Sequence, residues 1–374
     1  MIGYLLATTK GAIFFLLSFI LFIESVYAEK MKVAFINPTY PNEPFWGLLT
    51  DFMASAAKDL DVELQVYYSQ SNRFKTLEIA QEILKSPNKP DYMVFHFQAQ
   101  MGARILQAAE EAKVYSFVIN TNVPETDAQD IGKPRGKFKY WLGHLVPDDQ
   151  QAGYLLASEL IEKAIELKKV AEDGKVHMFG LTGTTDNTAS INRNTGLKEF
   201  VDKRSDVILH QIVNAAWNKE KAAKVTKILM ARYPETSVIW SASDAMALGA
   251  IQSLEALNLR VGKDVLLGGI DGTPAGLKAV NDGKMVATMS GHFIEGAWAI
   301  VLLYDHYYGV DFANDLGLVM QTSMEAIHAD IIKSCLAISD PYYINQIDFK
   351  FFSKVANPKR KQYQFTLPDS LVLN

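Results

Sequence analysis

Leu266-Leu267-Gly268-Gly269-Ile270-Asp271-Gly272-Thr273-Pro274-Ala275-Gly276 reads as a short apolar strand that ends on an aspartate, turns through a Gly-rich corner and enters a helix. In an α/β sheet, ligands bind in the crevice outside the carboxyl ends of the strands, so a carboxylate there is placed to accept hydroxyl or ammonium protons. The competing reading is a cap: Asp271 or Thr273 can satisfy the free N–H groups of the helix that begins near Pro274. What weighs between the two is whether other strands end in the same way.

Working outward, strand and helix alternate along the chain. Lys32–Asn37 is a compact apolar strand, and 45–60 carries Phe45, Leu48, Leu49, Phe52, Met53 and Ala56 at the spacing of one helix face. Strands at 62–68, 91–97 and 114–120 then alternate with helices at 74–84 and 99–112. Residues 122–139, with two prolines and two glycines, read as a long surface loop before a strand at 140–143. The pattern restarts with a helix at 148–167. Strands follow at 175–181, 207–213, 237–241, 264–270 and 286–290, separated by helices at 194–203, 219–232, 244–257 and 274–281. A long helix at 293–308 comes next, then a tail from 329 to 374 rich in Tyr, Phe and Lys. Such alternation specifies parallel sheets covered on both faces, and the restart makes two of them, each of five or so strands.

Composition narrows the function. The 374 residues are 49% hydrophobic and 21% charged, enough for a sizeable core. The formal charge is −5 with Lys and Arg scattered, so no footprint for nucleic acid or anionic lipid is present. The single cysteine, Cys335, excludes a disulfide framework and a Cys-based zinc site, and reads most simply as a core thiol. The seven histidines are dispersed, which argues against a metal cluster; neither metal nor cofactor is expected. No H-E-x-x-H, G-x-S-x-G or P-loop is found. Residues 13–23 form an apolar run after Lys10, followed by Val26 and Ala28 at the −3 and −1 positions of a cleavage site. This reads as a secretory signal peptide over 1–28, cut before Glu29 or kept as an anchor, and places the chain in a Gram-negative periplasm.

The strand ends carry the chemistry. The first strand leads to Asn37 and then Asn42-Glu43-Pro44-Phe45-Trp46, and the fourth ends at Asn120-Thr121-Asn122. In the second half come Asn192-Arg193-Asn194, Asn214-Ala215-Ala216-Trp217, Ser241-Ala242-Ser243-Asp244 and Asp271. Aromatic and planar polar groups share one rim. Sugars need that mix, because the C–H face of the ring stacks on an aromatic while its hydroxyls demand fixed donors and acceptors. Each residue also has a plain structural reading. One of Phe45 and Trp46 can be the first turn of a core helix, Arg193 a surface arginine, and Asn120 a turn former. Asp244 reads as the N-cap of the helix after it, Ser243 as a ligand group or not with equal weight, and His292 as a cleft residue or a satisfied histidine at a helix start.

Ser243-Asp244-Ala245-Met246-Ala247-Leu248-Gly249-Ala250, followed after one strand by Gly269-Ile270-Asp271-Gly272-Thr273-Pro274, resembles the paired signature of type I periplasmic sugar-binding proteins, the ribose-binding and LacI-like group. The resemblance covers 32–309. It implies an α/β fold of two Rossmann-like lobes with parallel sheets, a flytrap with crossover hinge strands. Lobe I would take 29–146 plus 292–320 and lobe II 147–291 plus 321–374, hinging near 143–148, 290–292 and around Met320. Carried over by position, the family's binding residues match Phe45, Trp46, Asn120, Arg193, Trp217, Ser243 and Asp271. Three departures, at Glu43, Ser243 and Gly291 with His292 beside it, speak against ribose itself.

The resemblance implies a monomeric, non-enzymatic solute-binding protein that delivers a sugar or polyol to an inner-membrane ABC permease. Trp46 and Trp217 would sandwich the ring, Arg193 and Asp271 grip hydroxyls, and Asn120 and Ser243 set stereochemistry. The tail and the 180–188 loop also resemble the autoinducer-2 receptor branch, which implies an alternative: a receptor that signals to an inner-membrane sensor kinase or cyclase. That branch clamps its ligand with two arginines, whereas this chain offers Arg193 and Gly291. An exported enzyme is a third reading, with Asp271 and His292 as its acid–base pair.

Overall fold

The computed structural model describes residues 29–332, 335–336 and 340–365, so the expected signal segment lies outside the described residues. One sheet is built from β1 (Lys32–Asn37), β2 (Glu63–Tyr68), β3 (Tyr92–His96), β4 (Tyr115–Ile119) and β5 (Trp141–Pro147). Between these strands run α1 (Pro44–Asp59), α2 (Arg73–Lys85), α3 (Met101–Ala112) and α4 (Glu125–Ile131). After α5 (Asp149–Glu166) a second sheet begins: β6 (Val176–Thr182), β7 (Val207–Asn214), β8 (Val238–Ser241), β9 (Leu266–Ile270) and β10 (Thr288–Ser290). Its connections are α6 (Thr188–Val201), α7 (Lys219–Arg232), α8 (Asp244–Ala256) and α9 (Pro274–Asn281). A 3-10 turn at His292–Ile294, α10 (Glu295–Tyr307) and α11 (Ala313–Leu316) lead to β11 (Val319–Thr322) in the first sheet and β12 (Glu325–Ile327) in the second.

The spatial orders are β11-β5-β4-β3-β1-β2 and β12-β10-β9-β8-β6-β7, six strands each where the sequence suggests about five. The sixth in each is a short strand after α10 that alternation alone does not reveal. All pairs are parallel except β10 with β12. The central strands are buried on both faces, as parallel strands with helices above and below must be: β3, β5, β6, β8 and β9 are buried at every position. The expected loop 122–139 contains α4, whose first turn carries Glu125 and Asp127, acidic residues that suit a helix N-terminus.

The chain passes between the sheets three times: from β5 into α5 at Pro147–Asp149, from β10 through Gly291, and from β11 to β12 at 323–324. The last crossing lies just beyond Met320, which is a residue of β11. Among the described residues no helix is long and apolar enough to cross a membrane.

The tail does not stay with the second sheet, where the division by sequence puts it. Met324, Ile327 and Ile332 join the second core, with Cys335 partly buried against it. Ile344, Ile347, Phe349, Phe352 and Tyr363 join the first. The reason is an aromatic and ionic clasp on α10. Trp298 is packed by Phe349, Phe352 and Phe365. The fully buried Asp305 carboxylate accepts from the Lys354 and Val355 N–H groups at 2.7 and 3.2 Å and from the Tyr363 hydroxyl at 2.8 Å. Each buried aromatic of this size is worth about 1.5–3 kcal/mol in apolar transfer.

Candidate functional site

The site starts with a close crossing of α5 and α6. A Cβ at Gly153 would lie 2.0 Å from the Arg193 carbonyl oxygen, and one at Gly196 would lie 1.9 Å from that of Gln150. Only glycine permits this approach, and it sets Arg193 opposite Asp149, the first residue of α5. The Arg193 Nε donates to Asp149 Oδ1 at 2.7 Å, and Nη1 donates to the Ala242 carbonyl at 2.7 Å and to Asp271 Oδ1 at 3.4 Å. Its Nη2 lies 3.3 Å from His292 Nε2, and its guanidinium carbon 5.7 Å from the centre of the Trp217 ring. The structure thus gathers four of the nominated residues, Arg193, Trp217, Asp271 and His292, around one guanidinium that is itself 3% exposed.

Burial disfavours the Arg193 charge, but the Asp149 and Asp271 carboxylates outweigh it and raise its pKa. Burial raises the Asp149 and Asp271 carboxyls in spite of Arg193. His292, fully buried beside the guanidinium, is pushed down to about 3 by burial and then by that positive charge. It is therefore neutral at pH 7. Because Nε2 faces a donor, it accepts, which places the proton on Nδ1; that buried N–H has no protein partner among the described residues.

From the first sheet, Phe45 stacks on His292 with ring centres 4.5 Å apart. Phe45 meets Trp46 edge-on at 5.3 Å, and Trp46 meets His96 edge-on at 5.3 Å. Both Phe45 and Trp46 belong to the first core as well as to the rim, so the expectation that one of them is core holds for both. Three nominated residues sit in backbone conformations that L side chains avoid: Asn120 at φ 66°, Trp217 at φ 60° and Asp271 at φ 136°. Such strain persists where surrounding structure over-determines it, as at ligand clamps. Here the Asn120 and Asp271 N–H groups are tied to the Leu145 and Met289 carbonyls at 2.9 and 2.8 Å.

Capping is assigned differently from the sequence reading at one position. Thr273 caps α9, its Oγ1 accepting from the Gly276 N–H at 3.2 Å, which leaves the Asp271 carboxylate for Arg193. Asp244, however, is not the cap of α8. Ser243 is, accepting from the Met246 N–H at 3.2 Å while keeping its own proton to donate. Asp244 instead turns inward and accepts from the Thr273 N–H, the Thr273 hydroxyl and the Thr288 hydroxyl at 2.8, 2.9 and 2.7 Å. Its carboxyl is raised by burial and by the Asp271 charge. The buried side-chain acceptor outcompetes the cap because three donors converge on it.

Several residues of this region lie outside the set nominated from the sequence. Glu43 caps α1, its Oε2 accepting from the Trp46 N–H at 2.8 Å; its carboxyl is raised to about 7, first by burial and also by the charge of Asp271. His96 is the last residue of β3, so the rule that picks out polar strand ends applies to it; burial lowers it to about 4. Glu295, buried beside Asn120, accepts from the Thr322 hydroxyl and is raised well above the usual carboxylate range by burial. Asp149 carries no sequence signal, since only the α5–α6 crossing brings it to Arg193. Three polar contacts span the two sides of the cleft: Asn122 N–H to Thr188 Oγ1 at 2.9 Å, His96 Nε2 to Asn187 Nδ2 at 3.4 Å, and Arg73 to Asp186 at 3.1 Å.

Buried side-chain polar atoms are normally partnered. Here His96 Nδ1, Gln98 Oε1, Asn120 Nδ2, Thr182 Oγ1, Ser190 Oγ and His292 Nδ1 are buried without a protein partner among the described residues. They lie at the carboxyl ends of β3, β4 and β6, near the start of α6 and beside the Gly291 crossing.

Comparison with known proteins points the same way. The family described as periplasmic binding protein domain matches residues 33–309. The ribose import binding protein of Salmonella typhimurium is 27% identical over 251 residues, 67% of this chain and 75% of that protein. The D-allose-binding periplasmic protein of Escherichia coli is 25% identical over 266 residues, 71% of this chain and 81% of that one. The crystal structure of a periplasmic sugar-binding protein from Pseudomonas fluorescens superposes with a TM-score of 0.82 at 30% identity, covering 92% of this chain and 100% of that one.

Proposed function

The chain belongs to the type I periplasmic sugar-binding proteins, and on that premise we propose that it captures a neutral sugar or sugar-like polyol between its two sheets and delivers it to an inner-membrane ABC importer. The observation that carries this reading is that, of the partnerless buried polar atoms among the described residues, those of His96, Gln98, Asn120, Thr182, Ser190 and His292 lie at or just beyond the carboxyl ends of the strands, with His292 and His96 packed on Phe45 and Trp46. A polyol supplies hydroxyls for those atoms and a C–H face for Trp217 and for Phe45 or Trp46. The roles follow from protonation. His292 Nδ1–H and Asn120 Nδ2 donate, Asp271 accepts, and Arg193, held by Asp149, the Ala242 carbonyl, Asp271 and His292, keeps one Nη2 N–H to donate.

Charge selects against anions. Asp149 and Asp271 hold one guanidinium, Glu43 lies near enough to Asp271 to feel its charge, and the two buried imidazoles, His96 and His292, are neutral. A sugar phosphate or sugar acid would add charge to a region already rich in carboxylates. Closure would bend at the three crossings, with the ligand favouring the state in which the contacts across the cleft form.

The reading is tested by intrinsic tryptophan fluorescence and thermal shift against pentoses, hexoses, polyols and their phosphates. A neutral member should raise the melting temperature, by an amount equivalent to about 2.7 kcal/mol at a hundredfold excess over Kd. Silence across the neutral panel overturns the proposal, and a response confined to the phosphates overturns the charge argument. Delivery is read separately, as ligand-dependent stimulation of the cognate transporter's ATPase in liposomes.

A further inference from the structure

The histidines that look dispersed along the chain are not all dispersed in space. His177, the second residue of β6, pairs in parallel register with Ile208, so His210 two residues further along β7 lies on the same face. Glu235, in the turn before β8, closes the third side. His177 Nδ1 lies 3.0 Å from His210 Nε2 and 3.4 Å from Glu235 Oε1, and His210 Nε2 lies 3.2 Å from Glu235 Oε1. On its outer side His177 Nε2 meets Asp173 Oδ2 at 3.1 Å, which keeps the proton on Nε2 and turns the Nδ1 lone pair inward. Tyr233 stacks flat on His210, with ring centres 4.1 Å apart, and fixes the orientation of that ring.

Three potential ligand atoms therefore converge on one point: His177 Nδ1, His210 Nε2 and Glu235 Oε1. A tetrahedral zinc ion with ligands at about 2.0–2.1 Å would set its ligand atoms about 3.3 Å apart, the spacing found here. We propose that His177, His210 and Glu235 form a binding site for a divalent ion of the zinc class, with Asp173 as the group that orients His177. The side chains of His177 and His210 are 9% and 13% exposed and that of Glu235 34%, so the ion enters from the Glu235 side and keeps a fourth position for water. The ion ties the edge strand β7 and the turn before β8 to β6. It lies at the amino end of β6, about 16 Å along the strand from the sugar cleft at Thr182, and acts independently of it.

The test uses tag-free, chelator-stripped protein titrated with Zn(II) against a chromophoric chelator, and with Co(II) for its visible spectrum. One equivalent of zinc should bind and raise the melting temperature reversibly, and Co(II) loaded into the metal-free protein should show the strong bands of four-coordination, which zinc then removes. H210F keeps a ring for Tyr233 to stack on but should weaken zinc binding at least a hundredfold, as should E235Q; D173N should weaken it about 10- to 100-fold. A hydrogen-bonded histidine pair with no metal role predicts instead no zinc uptake beyond that of an H177A/H210F double variant, and that result overturns the site. Should the variants fail to fold, the wild-type stoichiometry and Co(II) spectrum decide: without a single equivalent and without those bands the proposal falls.

Discussion

Two polar clusters occupy the two ends of β6, and they are opposite solutions to burying charge. At the carboxyl end one guanidinium is gripped by Asp149 and Asp271 and a backbone carbonyl, with a neutral imidazole completing the ring of acceptors. At the amino end two imidazoles and a carboxylate face one another with no Lys or Arg of the described residues paired to them. The first cluster is built around a cation that the chain supplies, so what it offers a ligand is directed hydrogen bonds. The second has the donor atoms but not the cation, which is the chemistry of a metal site. Both are gathered from residues far apart in sequence, by a close helix crossing in one case and by strand register in the other.

That contrast can be broken most sharply at Arg193. Arg193→Ala leaves two buried carboxylates and the Ala242 carbonyl without their donor, and should cost about 3–5 kcal/mol in urea unfolding. A loss under about 1 kcal/mol would mean that water, not the guanidinium, supports these groups. Asp271→Asn tests the ligand side of the same cluster. It removes a raised carboxyl from a carboxylate-rich region, so stability should hold, while sugar affinity should fall by about 2–3 kcal/mol, the worth of a charged hydrogen bond. Unchanged affinity would return Asp271 to a structural role.

Glu43 gives the pH signature. Its folded pKa of about 7 lies above the ordinary 4.5, so between these values the folded chain holds a proton that the unfolded chain has lost. The stability it contributes is complete below about pH 4.5 and is lost as pH rises through about 7. Glu43→Gln keeps an oxygen for the Trp46 N–H and removes that loss. The variant should match the wild type at pH 5 and gain about 2 kcal/mol over it at pH 8 in denaturant unfolding. A gap independent of pH would mean that Glu43 is solvated. Smallest is Arg73→Ala: the Arg73–Asp186 pair across the cleft is solvent-exposed, so its loss should weaken sugar binding by less than about 1 kcal/mol and vanish at high salt. As a check that the two ends of β6 are separate, H210F should leave sugar affinity unchanged in the same assay.

Much of the rim is legible from strand ends. Trp217, Asp271 and His292 meet as that rule suggests, and Phe45 and Trp46 adjoin them through the stack on His292; Arg193, which joins them, sits inside α6, a helix that starts at Thr188 rather than at 194. The rule reads a polar residue at the close of an apolar run, which is local information. Asp244 escapes it because the choice between capping and an inward turn depends on Thr273 and Thr288, 29 and 44 residues away. Asp149 escapes it because nothing near it in sequence names its partner.

The sequence by itself determined the parallel two-sheet architecture and the family, and it nominated polar and aromatic groups at the strand ends, since periodicity records which face of each element is apolar and each strand must finish somewhere. Only the tertiary structure decided which charges face one another, that an aromatic tail returns to the first core, and that His177 and His210 share a face with Glu235. These depend on how elements cross and register, through contacts such as Gly153 against the Arg193 backbone. A pattern of apolar residues specifies that an element is covered, while the pairing of polar groups is set by angles and offsets between elements that no local spacing carries.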